Sequence, residues 1–275
     1  MAMGKRFLKH GGVAVLLLCV LASASAWARE GVEVGERSVF ADMVSAEQVE
    51  QQAALQYQQT LKAAADQRAL GPADNAQVRR LRAIAQKITP LASEWNERAR
   101  QWKWEVNLIG SNQINAFCMP GGKIAFYTGL LDQLRLSDDE IAMVMGHEMA
   151  HALREHARSR IAKSQGTGTV LSIGAQLLGL GQLGDVAASI GTQLLTLKFS
   201  REDEIEADLV GLELAARAGF NPDASVALWE KMAKAKSGEG GPGFLSTHPS
   251  DTDRVRRLQD NLPKVRGLYE QAVRR

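Results

Sequence analysis

The sequence predicts an α+β fold that is mainly helical and has a small β-sheet beside one central helix. Three observations support this prediction. Apolar residues recur at helical spacing, two short runs are rich in β-branched and aromatic residues, and a helix-compatible motif carries two histidines four residues apart. With 275 residues, of which 45% are hydrophobic, the chain is long enough to bury one sizeable core.

Residues 1–28 have the features of a secretory signal peptide. Three basic residues precede an apolar run at 13–22 and an Ala-Trp-Ala pattern that ends at Ala28. We therefore predict cleavage after Ala28 and export, with retention of the run as a membrane anchor as the alternative. Leu18 stands before Cys19 where lipid attachment needs a small residue, so we predict no lipoprotein.

Charge and cysteine content narrow the class of protein further. The leader holds three of the 33 Lys and Arg residues and none of the 31 Asp and Glu residues, which leaves 30 basic residues against 31 acidic ones. Such a balance gives no basic surface for nucleic acid, so no nucleic-acid partner is expected. Cys118 is the one cysteine outside the leader, which excludes an intramolecular disulfide, and we expect its thiol to be buried.

Helices are predicted before and after the sheet along the chain. Residues 29–74 form an N-terminal helical segment, with a Gln- and Ala-rich helix from 45 to about 70. A second helix over 75–104 opens the domain predicted for 75–275, and shorter helices from about residue 221 brace its site.

The sheet is predicted from strands at Val106–Ile109 and Lys123–Tyr127 around a glycine-containing turn. Between them, Asn115, Ala116 and Phe117 are candidates for a substrate-binding strand. An exposed edge there would pair with an extended peptide through backbone hydrogen bonds and tolerate many sequences. Alternatively, the sheet edges are covered and the aromatic residues belong to the core.

The central motif is Gly-His-Glu-Met-Ala-His, which ends at His151. On a helix, His147 and His151 lie one turn apart on the same face, so both imidazoles can reach one metal ion. Glu148 lies beside that face, where a general base takes a proton from the attacking water. Ser137 and Glu140 form a capping box immediately upstream, which predicts that the helix begins there.

Catalytic zinc takes three protein ligands, so a third is needed. We choose Glu204, which lies four residues before Asp208 on a helical face and would complete a His-His-Glu set. Asp208 would orient a ligand imidazole by accepting its second ring N–H, whereas Glu202 and Glu206 are expected to point elsewhere. An isolated acidic run is more often a solvated helix start, but the upstream histidine motif favours the ligand interpretation.

Four motifs occur in one order, and together they resemble the zinc metallopeptidase family that includes HtpX, the CaaX prenyl proteases, BepA and LoiP. The motifs are Asn115-Ala116-Phe117 with Pro120-Gly121-Gly122, then Gly146–His151, then Ser200–Asp208, and Thr247-His248-Pro249. The likeness is strongest to periplasmic members of the BepA and LoiP type, although no tandem helical repeat follows here as in BepA.

This resemblance implies a gluzincin metallopeptidase domain with one zinc ion per chain. It assigns His147, His151 and Glu204 as ligands, Glu148 as general base and Asp208 as support for a ligand. It also implies a periplasmic endopeptidase whose substrates are unfolded or misassembled proteins of the cell envelope. The alternative is a zinc-stabilised chaperone or adaptor, in which a general base such as Glu148 has no purpose.

Three residues outside the motif Gly146–His151 have roles that the motif itself does not define. His248 lies in a glycine-rich loop at 238–249, and either hydrogen-bonds the developing oxyanion, or occupies the fourth position on zinc, or is an exposed loop histidine. The resemblance to BepA favours the fourth position. His156 is interpreted as structural, because continued helical spacing places it opposite His147. Arg254 is interpreted as a salt-bridge residue, with a contact to the substrate or the oxyanion as the alternative.

The apolar stretch 164–197 is predicted to form a soluble helical hairpin packed in the core. Its alternative is an amphipathic flap that makes peripheral contact with a membrane or a partner. Nothing in the sequence specifies an oligomeric state.

Overall fold

The computed structural model describes residues 30–166, 194, 197–235, 244–248 and 252–275. The predicted signal peptide and most of the 164–197 stretch lie outside the described residues. In the described ranges the fold is mainly helical with one small sheet, as predicted. Its helices are α1 (Ala46–Asp66), α2 (Ala76–Ile88), α3 (Thr128–Leu134), α4 (Asp138–Leu153), α5 (His156–Gly166), α6 (Arg201–Arg217), α7 (Ala224–Ala235), α8 (Phe244–Thr247) and α9 (Thr252–Val273).

The sheet has three strands in the order β1-β3-β2, namely β1 (Glu105–Ile109), β2 (Ala116–Met119) and β3 (Lys123–Tyr127). The two predicted strands exist, but they are parallel neighbours and are not joined by a turn. The turn with Gly121 and Gly122, both at positive φ, instead joins β2 to its antiparallel partner β3. A parallel pair needs a crossover connection, and β2 lies within it.

The predicted helix over 75–104 is wrong in its second half. The α-helix ends at Ile88, and two short 3-10 helices follow, Thr89–Glu94 and Glu97–Gln101. Pro90 explains the change, because its ring removes a backbone donor and prevents continuation of the α-helix. The preceding predicted helix is present as α1, and Ser45 caps its start by accepting from the backbone of Gln48.

The N-terminal segment packs on the rest of the described structure. Tyr57 of α1 is fully buried, and its hydroxyl donates to the carbonyl of Ile124 in β3 at 2.6 Å. Further upstream, the backbone N–H of Val32 donates to the buried carboxylate of Glu213 at 2.8 Å. None of the described helices has the length and apolarity needed to span a bilayer.

Helix α4 begins where the capping box predicts. The Ser137 side chain accepts from the backbone of Glu140, and the Glu140 carboxylate accepts from the backbone of Ser137. The helix ends at Leu153, and Glu155 adopts a left-handed conformation with φ of 57° before α5 begins at His156. The assumption of one continuous helix through residue 156 is therefore wrong.

Among the described helices, α4 and α6 form the most extensive pair, and glycines make their close approach possible. A Cβ atom on Gly146 would lie 2.6 Å from the carbonyl oxygen of Gly211, and one on Gly211 would lie 2.5 Å from the backbone nitrogen of His147. Backbones can approach this closely only where side chains are absent. The crossing thus brings α6 directly beside the first histidine of the motif.

Candidate metal centre

Four buried side chains converge where α4 meets α6. The Nε2 atoms of His147 and His151 lie 3.2 Å apart. The carboxylate oxygens of Glu204 lie 3.6 Å from Nε2 of His147 and 3.5 Å from Nε2 of His151. Nδ1 of His248 lies 3.3 Å from Nε2 of His147 and 3.0 Å from Oε1 of Glu204. The structure therefore brings the three predicted ligands together with His248.

The donor set and its spacing fit a zinc ion. Zinc binds nitrogen at about 2.0–2.1 Å in tetrahedral sites, which places neighbouring ligand atoms about 3.3 Å apart. One ligand atom from each of the four residues lies within 4.8 Å of the other three. All four side chains are buried, and buried groups of this kind are expected to share a cation or a complete hydrogen-bond network. His147, His151, Glu204 and His248 can therefore hold the metal.

Asp208 orients the first histidine. Its Oδ1 lies 3.0 Å from Nδ1 of His147, so the carboxylate accepts the second ring N–H and leaves Nε2 free for a metal. Burial alone would raise the pKa of Asp208. The positive charge of Arg254 and the hydrogen bond with His147 outweigh burial and lower this pKa below its ordinary value. Asp208 is therefore a stable carboxylate acceptor.

Arg254 neutralises the acidic side of the site. Its Nε and Nη2 donate to the two oxygens of Asp208 at 2.6 and 2.7 Å, and its Nη1 lies 2.8 Å from Oε2 of Glu204. The guanidinium also lies 4.0 Å from the ring centroid of Trp229 and is 1% exposed. The salt-bridge role is as expected from the sequence, and its partners are the two site carboxylates.

His156 lies beside His151, a contact that was not predicted from the sequence. Its Nδ1 is 2.9 Å from Nδ1 of His151, and its Nε2 is 2.9 Å from Oε2 of Glu206. Glu206 also accepts from Nε of Arg154 at 2.7 Å. The prediction that His156 lies on the far side of the helix is wrong because the helix breaks at Glu155. No glycine or proline marks this break in the sequence.

Glu148 is buried beside the ligands and is not one of them. Its Oε1 has no hydrogen-bond partner among the described residues and lies 3.5 Å from Nε2 of His248. Burial raises the pKa of Glu148, and the positive charges possible on His248 and His147 oppose this shift. A raised pKa brings a carboxylate closer to the range in which it exchanges protons at neutral pH.

His248 follows the short helix α8 and is buried, so an exposed loop histidine is excluded. Its ring stacks on Phe244 with centroids 4.4 Å apart. Burial lowers the pKa of His248, but the negative charges of Glu148 and Glu204 outweigh burial and raise it overall. The glycine-rich residues 236–243 before it lie outside the described residues.

A cavity of about 380 Å³ opens onto Glu148 and His151. Asn115, Ala116 and Phe117 line one wall, and Ala116 and Phe117 belong to β2. This strand pairs with β3 along one edge, and within the described residues no strand pairs with its other edge. The predicted substrate strand is thus an edge strand that faces the cavity.

A histidine pair on one helix, a glutamate from the facing helix and a free buried carboxylate beside them define a zinc-peptidase centre of the gluzincin type. The profile of peptidase family M48 matches residues 76–262, and the chain belongs to this family. This finding confirms the resemblance recognised from the four motifs.

Individual relatives are similar over the same region. The mitochondrial metalloendopeptidase OMA1 of Schizosaccharomyces pombe is 38% identical over 165 residues, which cover 59% of this chain and 48% of that protein. The metalloprotease LoiP of Escherichia coli is 28% identical over 182 residues, covering 65% of this chain and 70% of LoiP. The E. coli beta-barrel assembly-enhancing protease is 30% identical over 176 residues, covering 60% and 36%. The chain spans about half or less of the OMA1 relatives it matches.

Proposed function

We propose that this protein is a zinc-dependent endopeptidase that cleaves unfolded or misassembled proteins of the cell envelope. The observation that carries this proposal is the buried carboxylate of Glu148, which lies beside the metal-binding cluster and whose Oε1 atom has no hydrogen-bond partner in the described structure. Structural zinc sites are closed sets of ligands and need no such group. A zinc-stabilised chaperone or adaptor would leave this costly buried carboxylate unexplained.

In this mechanism, His147, His151 and Glu204 would hold the zinc ion, and Asp208 fixes the ring of His147. When bound, zinc supplies Lewis acidity, which polarises the scissile carbonyl and lowers the pKa of water. Glu148 accepts the proton from the attacking water on its free oxygen and later donates it to the leaving amine. Because the nucleophile is water, no covalent bond to the protein forms.

Of the two roles for His248, we favour the fourth position on the metal. The support is the placement of its Nδ1, which lies 3.0 Å from Glu204 and 3.3 Å from His147, among the ligand atoms. A histidine in this position would compete with water for the metal, so activity would be lowered while His248 is there and would rise when residue 248 withdraws. An oxyanion contact would place the ring farther from the ligand atoms and nearer the substrate carbonyl.

Substrate recognition is proposed to use the free edge of β2. A peptide that pairs with this edge lies along the cavity wall and passes Glu148, because the cavity contains both. Backbone pairing binds any extended chain, which is the property that distinguishes an unfolded protein from a folded one. The leader predicted from the sequence supports the periplasm as the location.

The test compares the purified chain with its Glu148→Gln variant for zinc content and for cleavage of casein, an unfolded protein. We expect both proteins to bind one zinc ion per chain and the variant to lose about 100- to 10,000-fold in activity. Glu202→Gln, at an exposed position near the site, is the matched control and should keep full activity.

Other outcomes separate the alternatives. If the wild type and Glu148→Gln both bind zinc but neither cleaves casein, His248→Ala is tested next. Its activity should be higher if His248 blocks the site. Loss of activity in His248→Ala with zinc retained would support the oxyanion role instead. Zinc bound without cleavage in all three proteins would favour the chaperone or adaptor, and an absence of zinc would contradict the site assignment.

A further inference from the structure

The two ligand histidines have outer partners of different chemistry. His147 donates its second ring N–H directly to a carboxylate, that of Asp208. The corresponding atom of His151, Nδ1, faces a second imidazole, Nδ1 of His156, at 2.9 Å. The far nitrogen of His156 reaches the carboxylate of Glu206 at 2.9 Å. Both rings are nearly inaccessible to solvent, with 3% exposure for His151 and 2% for His156.

The direction of these hydrogen bonds is fixed by the ligand role of His151. A histidine that binds metal through Nε2 carries its proton on Nδ1, so this N–H must donate. Nδ1 of His156 must then accept, and its proton resides on Nε2, which donates to Glu206. One arrangement of two protons therefore satisfies every member of the row His151, His156 and Glu206.

The fold holds His156 in this position by the break after α4. In a continuous helix, five residues correspond to 500°, so residue 156 would lie about 140° around the axis from residue 151. The left-handed conformation of Glu155 redirects the chain, and α5 begins with His156 facing back toward His151. Ion pairs of Glu155 with Arg37 and Arg158 stabilise the turn.

Glu206 is in turn held by a charged partner. Nε of Arg154 donates to its Oε1 at 2.7 Å, and Nη2 of the same guanidinium donates to the carbonyl of Gly35 at 2.5 Å. Glu206 lies two residues after Glu204 on α6, so one helix supplies both the metal ligand and the end of this row.

We propose that His156 is a positioning residue for the metal ligand His151, and that Glu206 fixes the ring of His156. The proposal rests on the proposed function, because it takes His151 as a zinc ligand. Outer partners of ligand histidines fix the ring orientation and raise its basicity, and their loss typically weakens metal binding about 10- to 100-fold. We expect this decrease in zinc affinity when His156 can no longer accept.

The experiment measures the zinc dissociation constant by competition with a chelating dye, and the melting temperature of the zinc-free protein. His156→Leu keeps bulk but offers no acceptor, and should bind zinc about 10- to 100-fold more weakly. His156→Asn places an amide oxygen near the position of Nδ1 and should recover part of this affinity. Ser159→Ala, a buried position on the same helix whose hydroxyl contacts Ser38, is the matched control and should bind zinc like the wild type.

Rescue by His156→Asn separates positioning from a general loss of stability, which would weaken zinc binding in both variants alike. If His156→Leu does not fold, Glu206→Gln provides the second measurement, with a several-fold loss of affinity expected. Wild-type zinc affinity in His156→Leu, or in Glu206→Gln where the leucine variant does not fold, would overturn the proposal and leave the proposed function intact. Failure of the wild type to bind zinc would overturn both.

Discussion

Replacement of Gly146 by alanine adds one methyl group at the crossing of α4 and α6, directly beside His147. The new Cβ would lie 2.6 Å from the carbonyl oxygen of Gly211, whereas ordinary contact begins at 3.4 Å, so the two helices must separate by up to about 0.8 Å. Zinc–ligand distances tolerate only about 0.2 Å. Because His147 and His151 lie on α4 and Glu204 lies on α6, the separation pulls the ligands apart.

We expect two results from Gly146→Ala. Zinc affinity should fall at least about tenfold, which corresponds to about 1.4 kcal/mol. The zinc-free protein should lose about 1–3 kcal/mol of unfolding free energy, as is usual for overpacking, even though alanine favours the helix more than glycine does. Urea unfolding and a competition titration with a chelating dye measure these quantities.

Gly35→Ala is the matched control. Gly35 is exposed, and a Cβ atom there would meet nothing within 4 Å, so both quantities should stay at wild-type values. Wild-type stability together with wild-type zinc affinity in Gly146→Ala would refute the reasoning, because it would show that the helix crossing adjusts without moving the ligands.

Three further substitutions and treatments test other contacts. Arg254→Leu leaves two buried carboxylates without their cation, and should destabilise the zinc-free protein by about 3–5 kcal/mol in urea unfolding at pH 7. Because the pKa of Asp208 is lowered in the folded state, its stabilising contribution is present above the unfolded-state pKa of about 3.9 and is lost as pH falls through the folded-state value. An Arg254→Leu deficit that is absent at pH 7 would contradict this assignment. Burial raises the pKa of the Cys118 thiol, so Ellman's reagent should react with it only after denaturation, and rapid reaction of the native protein would contradict its burial. Ser137→Ala removes the cap of α4 and should cost about 1 kcal/mol, whereas an unchanged urea midpoint would show that the cap is dispensable.

Local signals in the sequence predicted the parts of the fold that depend on neighbouring residues. The capping box at Ser137 gave the start of α4 correctly, because its hydrogen bonds join residues three apart. A substrate strand was predicted at residues 115–117, but its pairing with β3 was not, because this pairing joins residues that no local pattern connects. The α-helical end at Ile88 was also missed, although Pro90 was a visible signal for it.

The same distinction applies to the metal centre. The pair His147 and His151 follows from helical spacing alone, and Glu204 was found by applying the same spacing to a second helix. The contact of His156 with His151 could not be predicted, because it depends on a left-handed Glu155. Glutamate rarely adopts this conformation, at a cost of about 1–3 kcal/mol, and the packing that stabilises it comes from Arg37, far away in the sequence.

Helix α6 has a larger influence on the metal centre than its single ligand suggests. It supplies the ligand Glu204 and two carboxylates that hold the ligand histidines. Asp208 contacts His147 directly, and Glu206 holds His151 through His156. Each of these two carboxylates is paired with an arginine. A substitution of one histidine on α4 alters one imidazole, whereas a rotation of α6 alters the glutamate ligand and the orientation of both imidazoles together. The close approach of Gly146 and Gly211 restricts that rotation, because any side chain at either position would separate the helices. The geometry of the metal centre therefore depends on helix packing at Gly211 as directly as on the histidine motif itself.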